Sequence, residues 1–141
     1  MELEKEVALP LALFIKKVLL GKCTGISFVR STPLRVCKNQ RIHIHKTFKE
    51  IAQRGKCSMG WFFGFKSYLI CNECGELLNF MITPGDIDDR KSLEYKSFVE
   101  FMYGKLVGDK GYISRNLFQR LFVNGIQLIT KLKSEFCNIL Y

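Results

Sequence analysis

The sequence predicts a mixed α/β fold, in which helices pack on the faces of a sheet with both antiparallel and parallel strands. The chain has 141 residues, which suits one domain with a sizeable core. Hydrophobic residues make up 48% and charged residues 25%, the balance of a globular protein. The apolar patterns give, in order, a helix, a strand, a long basic loop, a β-hairpin, a helix, a strand, a helix and a strand.

The first element is a helix over residues 10–20, within an N-terminal helical segment, residues 1–21, that leads into the core. Pro10 suits the first helical turn and Gly21 can cap the end. Between them, apolar side chains recur at helical spacing and form one stripe, which consists of Leu11, Phe14, Ile15, Val18 and Leu19.

A short buried strand follows at residues 26–29. We expect it to stop at Pro33, because proline is not tolerated in a central strand. The basic stretch at residues 35–60 has little periodicity and predicts an extended surface loop with a helical turn near residues 47–53. Loops of this length in compact domains are often functional or disordered.

Residues 61–70 and 77–83 predict a β-hairpin, since turn residues lie between two apolar runs. Asp88 or Asp89 then leads into a helix. One face of this helix is predicted to hold Tyr95, Phe98, Val99 and Met102.

The last third of the chain predicts a β-α-β unit. Residues 105–107 form a short strand that runs into a glycine-rich turn, and residues 126–132 alternate as a strand should. Between them Ser114 caps a helix that Asn124 and Gly125 end. The inward side of this helix is predicted to consist of Leu117, Phe118, Leu121 and Phe122.

The net charge of +9 is concentrated in one segment. From Arg30 to Lys66 there are nine cationic side chains and one acid, Glu50. A phosphate backbone is the polyanion that such a stripe indicates. A solvated charged face is the alternative, and an anionic membrane is a weaker one. The cations expected to contact phosphate are Arg35, Lys38, Arg41, Lys46, Arg54, Lys56 and Lys110.

Cysteine usage and the N-terminal segment predict a reduced, cytoplasmic protein with no membrane partner. Six cysteines indicate a disulfide scaffold only in a short secreted chain, and the acidic residues 1–6 have the wrong sign for a secretory signal. The apolar run at residues 7–15 is too short for a bilayer, which needs roughly 20 residues. Cys71 and Cys74 have half of a zinc-ribbon spacing without a second pair, so a hairpin turn explains them better.

Asp109 is the carboxylate in the best position for catalysis. It follows the strand at residues 105–107, and ligands of open α/β sheets gather at the carboxyl ends of strands. A carboxylate there can hold Mg²⁺, which takes oxygen ligands, and the flanking Gly108 and Gly111 would leave room for a phosphate or a second chain. A plain turn is the alternative interpretation of the same residues.

Two other groups of residues are weaker candidates. The acidic cluster at residues 86–89 is better explained by helix capping and turn formation than by metal binding. The aromatic residues beside Lys66 could stack bases, although strand spacing favours core packing for at least half of them. They are Trp61, Phe62, Phe63 and Phe65.

A series of motifs extends along the chain: FVRSTPL (28–34), KTF (46–48), RGK (54–56), GWFFGFK (60–66), ITPGDIDDR (82–90) and GDKGY (108–112). In this order they resemble the successive motifs of bacterial insertion-sequence transposases of the DDE type. The resemblance extends from about residue 9 to residue 133. It implies an RNase H-like catalytic core.

The resemblance also implies an activity. In this family, three carboxylates hold two Mg²⁺ or Mn²⁺ ions that cut and join DNA at insertion-sequence ends by phosphoryl transfer. Asp109 matches the second carboxylate, as catalytic residue and metal ligand. The first position falls at Arg30, where the family has aspartate, and the third lies beyond Lys133, where Glu135 is the only acid. DNA and further copies of the chain are the implied partners.

We interpret residues 1–141 as a single partial transposase domain that lacks both ends. Because a guanidinium replaces a metal-binding carboxylate, we expect the chain to be unable to cut DNA alone. Two alternatives stay open. One is a non-catalytic basic module that binds nucleic acid, and the other is a decayed reading frame whose product folds poorly.

Overall fold

The computed structural model describes residues 2–130, with the backbone alone for residues 2–6, 8 and 19. The strands are β1 (Ile26–Cys37), β2 (Gln53–Cys57), β3 (Gly60–Asn72), β4 (Leu77–Pro84), β5 (Gly104–Gly108) and β6 (Ile126–Thr130). The helices are α1 (Glu2–Phe14), which continues as a π-helical turn at Ile15–Leu19, α2 (Asp89–Ser92), α3 (Lys96–Val99) and α4 (Arg115–Val123). Single 3₁₀ turns lie at Asn39–Arg41 and Lys110–Tyr112.

Within the described residues, six strands form one mixed sheet in the order β2-β3-β1-β5-β6, and β4 also pairs with β3. The β1–β3, β2–β3 and β3–β4 ladders are antiparallel, whereas β1–β5 and β5–β6 are parallel. On its side away from β1, β3 pairs first with β2 and then with β4. This mixed sheet with its helices confirms the predicted fold class.

The two faces of the sheet differ in how they are covered. Val29, Tyr68 and Leu106 point to the face that carries the buried core, where they meet apolar side chains from α3 and α4. Because side chains alternate along a strand, Arg30 and its cross-strand neighbour Leu69 lie on the opposite face. We call this opposite surface the Arg30 face.

β1 is longer than expected, because it continues through Pro33 to Cys37. The expectation that the strand ends at Pro33 is therefore wrong. β5 pairs only with residues 26–28 of β1, so beyond them β1 has a ladder partner on one side alone. Proline is tolerated on such an edge, because no second neighbouring strand requires the N–H that proline lacks.

The basic loop is shorter than expected, because β1 enters it from one end and β2 occupies the other. The predicted turn near residues 47–53 is confirmed, since the amides of Ile51 and Ala52 donate to the carbonyl of Phe48. β2 has the sequence QRGKC, which holds two cations and a glycine and shows no strand-like apolar alternation. Its place in the sheet comes from its pairing with β3 and not from its own pattern.

The N-terminal helix begins at Glu2 and not near Pro10, so the proline lies inside it. The residues before Pro10 include glutamate, leucine, lysine and alanine, which all favour helix, and this explains the early start. The apolar side chains of Leu11, Phe14 and Val18 are each about half exposed or more. No helix in the described part of the chain has the length and apolar character of a membrane span.

The hairpin of β3 and β4 is confirmed, with Cys74 in its turn, where its amide donates to Asn72 Oδ1. The single helix expected near residues 89–102 is instead the two short helices α2 and α3. Phe98, Val99 and Met102 are buried as predicted, whereas Tyr95 precedes α3 and is exposed.

The β-α-β unit is confirmed over β5, α4 and β6. The Ser114 hydroxyl accepts a hydrogen bond from the Leu117 amide and caps α4, and Gly125 follows the helix with a φ of 80°. Leu117 and Leu121 are buried, but the inward positions expected for Phe118 and Phe122 are wrong. These two rings are exposed and stack on each other one helical turn apart, with centroids 6.4 Å apart.

Candidate functional site

Arg30 lies within β1, and Asp109 directly follows the last residue of β5, the strand that pairs in parallel with the start of β1. The β1–β5 ladder ends with Phe28 opposite Val107. Arg30 comes two residues after Phe28, and Asp109 comes two residues after Val107. An offset of two keeps Arg30 on the same face of β1 as Phe28, whereas Asp109 lies one residue beyond β5. The two positions that the resemblance assigns to the first and second carboxylates therefore each follow the last β1–β5 pair by two residues.

Asp109 is exposed at the end of β5, and its carboxylate already has a structural partner. Its Oδ1 accepts a hydrogen bond of 2.6 Å from the Lys110 amide, which caps the 3₁₀ turn. The turn interpretation of Asp109 is thus confirmed by the geometry. A carboxylate has further lone pairs, so capping leaves it able to bind a cation.

The glycines beside Asp109 make room for the protein itself. A Cβ on Gly108 would lie 3.1 Å from both Tyr112 and Val29, and one on Gly111 would lie 2.9 Å from a carboxylate oxygen of Asp89. Internal packing therefore accounts for both glycines, and room for a phosphate or a second chain beside them stays a prediction. The two glycines allow the turn after β5 to pack closely against the core and against Asp89.

The described residues provide one of the three carboxylates that the resemblance implies, Asp109. In residues 2–130, no three His, Cys, Asp or Glu side chains are arranged to hold a metal ion. Arg30 instead places a permanent positive charge at the first carboxylate position. Glu135, the only acid near the third position, lies outside the described residues.

Asp89 has a role that the sequence did not predict. Its carboxylate accepts hydrogen bonds from Ser31 Oγ at 3.1 Å, Lys66 Nζ at 3.0 Å and Tyr68 OH at 3.2 Å. The ion pair with Lys66 is largely buried, with side-chain exposures of 11% for the lysine and 24% for the aspartate. Asp89 is the first residue of α2. Its hydrogen bonds therefore connect this helix to β3 and to the residue of β1 that follows Arg30.

The acidic cluster at residues 86–89 divides into different roles. Asp88 caps α2 by accepting a hydrogen bond from the Arg90 amide, as predicted, and the hydrogen-bonded Arg90 guanidinium lowers the pKa of Asp88 to about 2. For Asp89, capping and turn formation are the wrong explanation. The sequence carried one indication of its role, since Lys66 alternates inward on a buried strand and a buried lysine requires an anion.

Two buried tyrosines surround the Asp89 carboxylate. Burial, assisted by the negative charge of Asp89, raises the pKa of Tyr68 and of Tyr112 above the ordinary value of 10.0. The Tyr112 hydroxyl has no hydrogen-bond partner with good geometry among the described residues, although Ser31 and Ser92 lie close to it. Both phenols therefore stay neutral in the folded state at a pH where unfolded tyrosine ionises.

We expect the free energy of unfolding to fall above a pH of about 10. A raised folded-state pKa gives stability that is complete below the unfolded pKa and is lost as the pH rises beyond it. Each tyrosine can contribute a loss of up to about 1.4 kcal/mol per pH unit. Urea unfolding between neutral and alkaline pH measures the decline. Tyr112→Phe should make it shallower, and parallel profiles for the two proteins would contradict the assignment.

The cations predicted to contact phosphate are all exposed: Arg35, Lys38, Arg41, Lys46, Arg54, Lys56 and Lys110. In the part of the chain that the structure describes, ion pairs join Lys66 to Asp89, Arg90 to Asp88 and Arg120 to Glu94. None of the seven cations pairs with a described carboxylate. Lys110 adjoins Asp109, whereas the other six belong to the end of β1, the loop after it and β2.

Trp61 lies beside three of these six cations. Arg35 and Lys38 line a surface pocket of about 360 Å³ together with Trp61, and the Lys56 ammonium lies 5.9 Å from the centre of the Trp61 ring. Lys38 and Arg41 line a neighbouring pocket. We call Arg35, Lys38, Arg41, Lys46, Arg54, Lys56 and Trp61 the basic corner.

Core packing is confirmed for two of the four aromatic residues that could stack bases. Phe62 and Phe63 are buried. Phe65 is half-buried, and the ring of Phe48 contacts it edge to face at 5.8 Å between centroids. Trp61 differs from all of them, because 62% of the residue is exposed.

These features define a mixed α/β domain, with an acid at the end of a parallel strand and a basic corner on the same chain. A family model described as the transposase DDE domain matches residues 20–141. The chain therefore belongs to the transposase DDE domain family, which confirms the family that the motifs indicated.

Comparison with other proteins supports the fold. The chain is similar to a cryo-EM structure of the piggyBac transposase synaptic complex with hairpin DNA, at a TM-score of 0.50 and 11% sequence identity. The similarity covers 81% of this chain and 24% of that chain, so the present chain spans about a quarter of its length. No curated protein matches the sequence.

Proposed function

We propose that this chain is a transposase-derived domain that binds DNA and does not cut it by itself. The presence of Arg30 at the first carboxylate position, with Asp109 at the second, carries the proposal. In an intact family member both positions would hold carboxylates, and here one holds a fixed cation that repels Mg²⁺. Mg²⁺ binding at Asp109 and assembly into a homo-oligomer remain predictions.

Incubation of the chain with DNA substrates and Mg²⁺ or Mn²⁺ tests the loss of cutting. We expect no cleavage or strand-transfer product above the background without protein. Robust turnover by the native chain would overturn this part of the proposal. DNA binding in the same samples, measured with and without the metal, shows whether the protein is folded and functional.

The basic corner supports the retention of DNA binding. Its cations are exposed and make no ion pair with a described carboxylate, so their charge is available to a ligand. Duplex DNA carries about one negative charge per 1.7 Å of its axis and is the polyanion that such a surface fits. The family makes insertion-sequence ends the DNA to test first.

Removing two cations of the basic corner should weaken binding to all DNA sequences alike. For Lys38→Ala/Arg41→Ala we expect the slope of log affinity against log salt to become shallower by about 2, since each lost phosphate contact removes about one unit. Fluorescence anisotropy with a labelled duplex, in EDTA and at several salt concentrations, measures the slope.

The matched control is Lys91→Ala/Lys96→Ala, which removes two exposed lysines from α2 and α3, outside the basic corner. Its slope should equal that of the native chain. Native binding that requires a divalent metal or does not respond to salt would contradict the proposal, and so would equal losses in the two double variants.

A further inference from the structure

We infer that Trp61 is a stacking platform for an unpaired nucleobase, an inference that rests on the DNA-binding function proposed above. The basic corner would then hold a single strand, or an end with an unpaired base, more tightly than its cations alone allow. Base–aromatic stacking works with every base, because each has a π face, so no sequence preference is implied.

The exposure of Trp61 is the first support. The two residues that follow it, Phe62 and Phe63, are 1% and 6% exposed, so the same strand buries its other aromatic rings well. The side chain of Trp61 is the largest apolar side chain in the protein, yet most of it is exposed to solvent. Tryptophan exposed in this way beside cations is typical of surfaces that bind single-stranded nucleic acid.

The second support is that the backbone of Trp61 is held in place. Trp61 pairs with Lys56 across the β2–β3 ladder, and the side-chain amide of Asn39 donates to the Trp61 carbonyl at 3.1 Å. A side chain on a paired strand loses little further backbone freedom when a ligand binds. A platform that is ordered beforehand keeps more of the stacking energy as affinity.

The third support is the chemistry of the surrounding side chains. The pocket beside the ring has Arg35 and Lys38 in its lining and no acidic residue, and the Lys56 ammonium lies over the ring, 5.9 Å from its centroid. Its volume of about 360 Å³ accommodates a planar base next to the indole. Cations around an aromatic face match a nucleotide, which presents a phosphate and a base together, better than they match an acidic peptide.

Trp61 is the one tryptophan of the chain, so its fluorescence reports directly on the ring. We expect a short oligothymidine to quench this fluorescence, and a blunt-ended duplex of equal phosphate number to quench it much less. Trp61→Ala should weaken oligothymidine binding about tenfold and change duplex binding by less than about twofold. Anisotropy with labelled forms of the two DNAs measures both affinities.

Two further variants keep the test specific. Trp61→Phe retains an aromatic face and should recover most of the affinity for the single strand. Phe101→Ala removes an aromatic residue that is 82% exposed but lies outside the basic corner, and it should have no effect on either DNA. Urea unfolding of each variant checks that stability is unchanged.

The outcomes separate this inference from the proposed function. If the native chain binds both DNAs and Trp61→Ala changes neither affinity, the stacking platform is refuted and DNA binding stands. A native chain that binds neither DNA refutes both. A selective loss of single-strand affinity in Trp61→Ala, with recovery in Trp61→Phe, supports the platform.

Discussion

Replacing Arg30 by aspartate is expected to create binding of Mn²⁺ at a position where the native chain binds it weakly or not at all. The substitution removes a positive charge from the neighbourhood of Asp109 and adds a second carboxylate at the matching position of β1. Two carboxylates form a divalent-cation site far better than one does, because Mn²⁺ and Mg²⁺ take oxygen ligands.

The expected effect is large. At about 4 Å and an effective dielectric constant of about 20, a unit charge pair interacts by about 4 kcal/mol, and a dication doubles this value. Both residues are exposed, so salt and water screen much of it. We therefore expect Arg30→Asp to tighten the dissociation constant for Mn²⁺ by at least about 100-fold, equivalent to about 2.7 kcal/mol. Electron paramagnetic resonance of free Mn²⁺ measures it.

Two controls divide the effect into its parts. Arg30→Ala removes the repulsion without adding a ligand and should fall between the native chain and Arg30→Asp. Asp109→Asn in the Arg30→Asp background should abolish the gained binding, because it removes the second ligand. If Arg30→Asp binds Mn²⁺ no better than Arg30→Ala, positions 30 and 109 do not form one site. Recovery of DNA cutting is a separate question, since it needs a third carboxylate.

The neighbourhood of Arg30 and Asp109 could be predicted from the sequence only through the family motifs. The local pattern indicated that Asp109 follows a strand, and equally that it forms a turn. Which residue lies beside it depends on the register between β1 and β5, strands that are far apart along the chain. Apolar periodicity fixes which face a residue takes within one element and contains no information about register between distant ones.

Where the prediction failed, tertiary contacts decided the outcome. Pro33 stays in β1 because the second half of that strand is an edge, a fact that depends on how far β5 extends. Phe118 and Phe122 obey the helical period, yet α4 turns only Leu117 and Leu121 to the core. Periodicity predicts an apolar stripe along the helix. How much of that stripe is buried depends on how the neighbouring elements pack against it.

Asp89→Asn is expected to cost roughly 3 kcal/mol of unfolding free energy, because it leaves the buried Lys66 ammonium without its counter-charge. The amide keeps the shape of the side chain, so the lost unfolding free energy reports the missing charge and not a cavity. Lys66 retains its hydrogen bond to the Ile87 carbonyl at 2.8 Å, which moderates the cost without replacing the anion. Urea unfolding at neutral pH measures the difference.

The neighbouring Asp88→Asn is the matched control. It changes the same residue type one position earlier, but its partner Arg90 is half exposed, so we expect a loss below about 1 kcal/mol. Adding Lys66→Met to Asp89→Asn removes the unpaired charge and should return part of the lost stability. Equal losses in Asp88→Asn and Asp89→Asn would show that the buried pair contributes no more than a surface one. A larger loss in Asp89→Asn would show that the fold depends on the buried pair that Asp89 forms with Lys66.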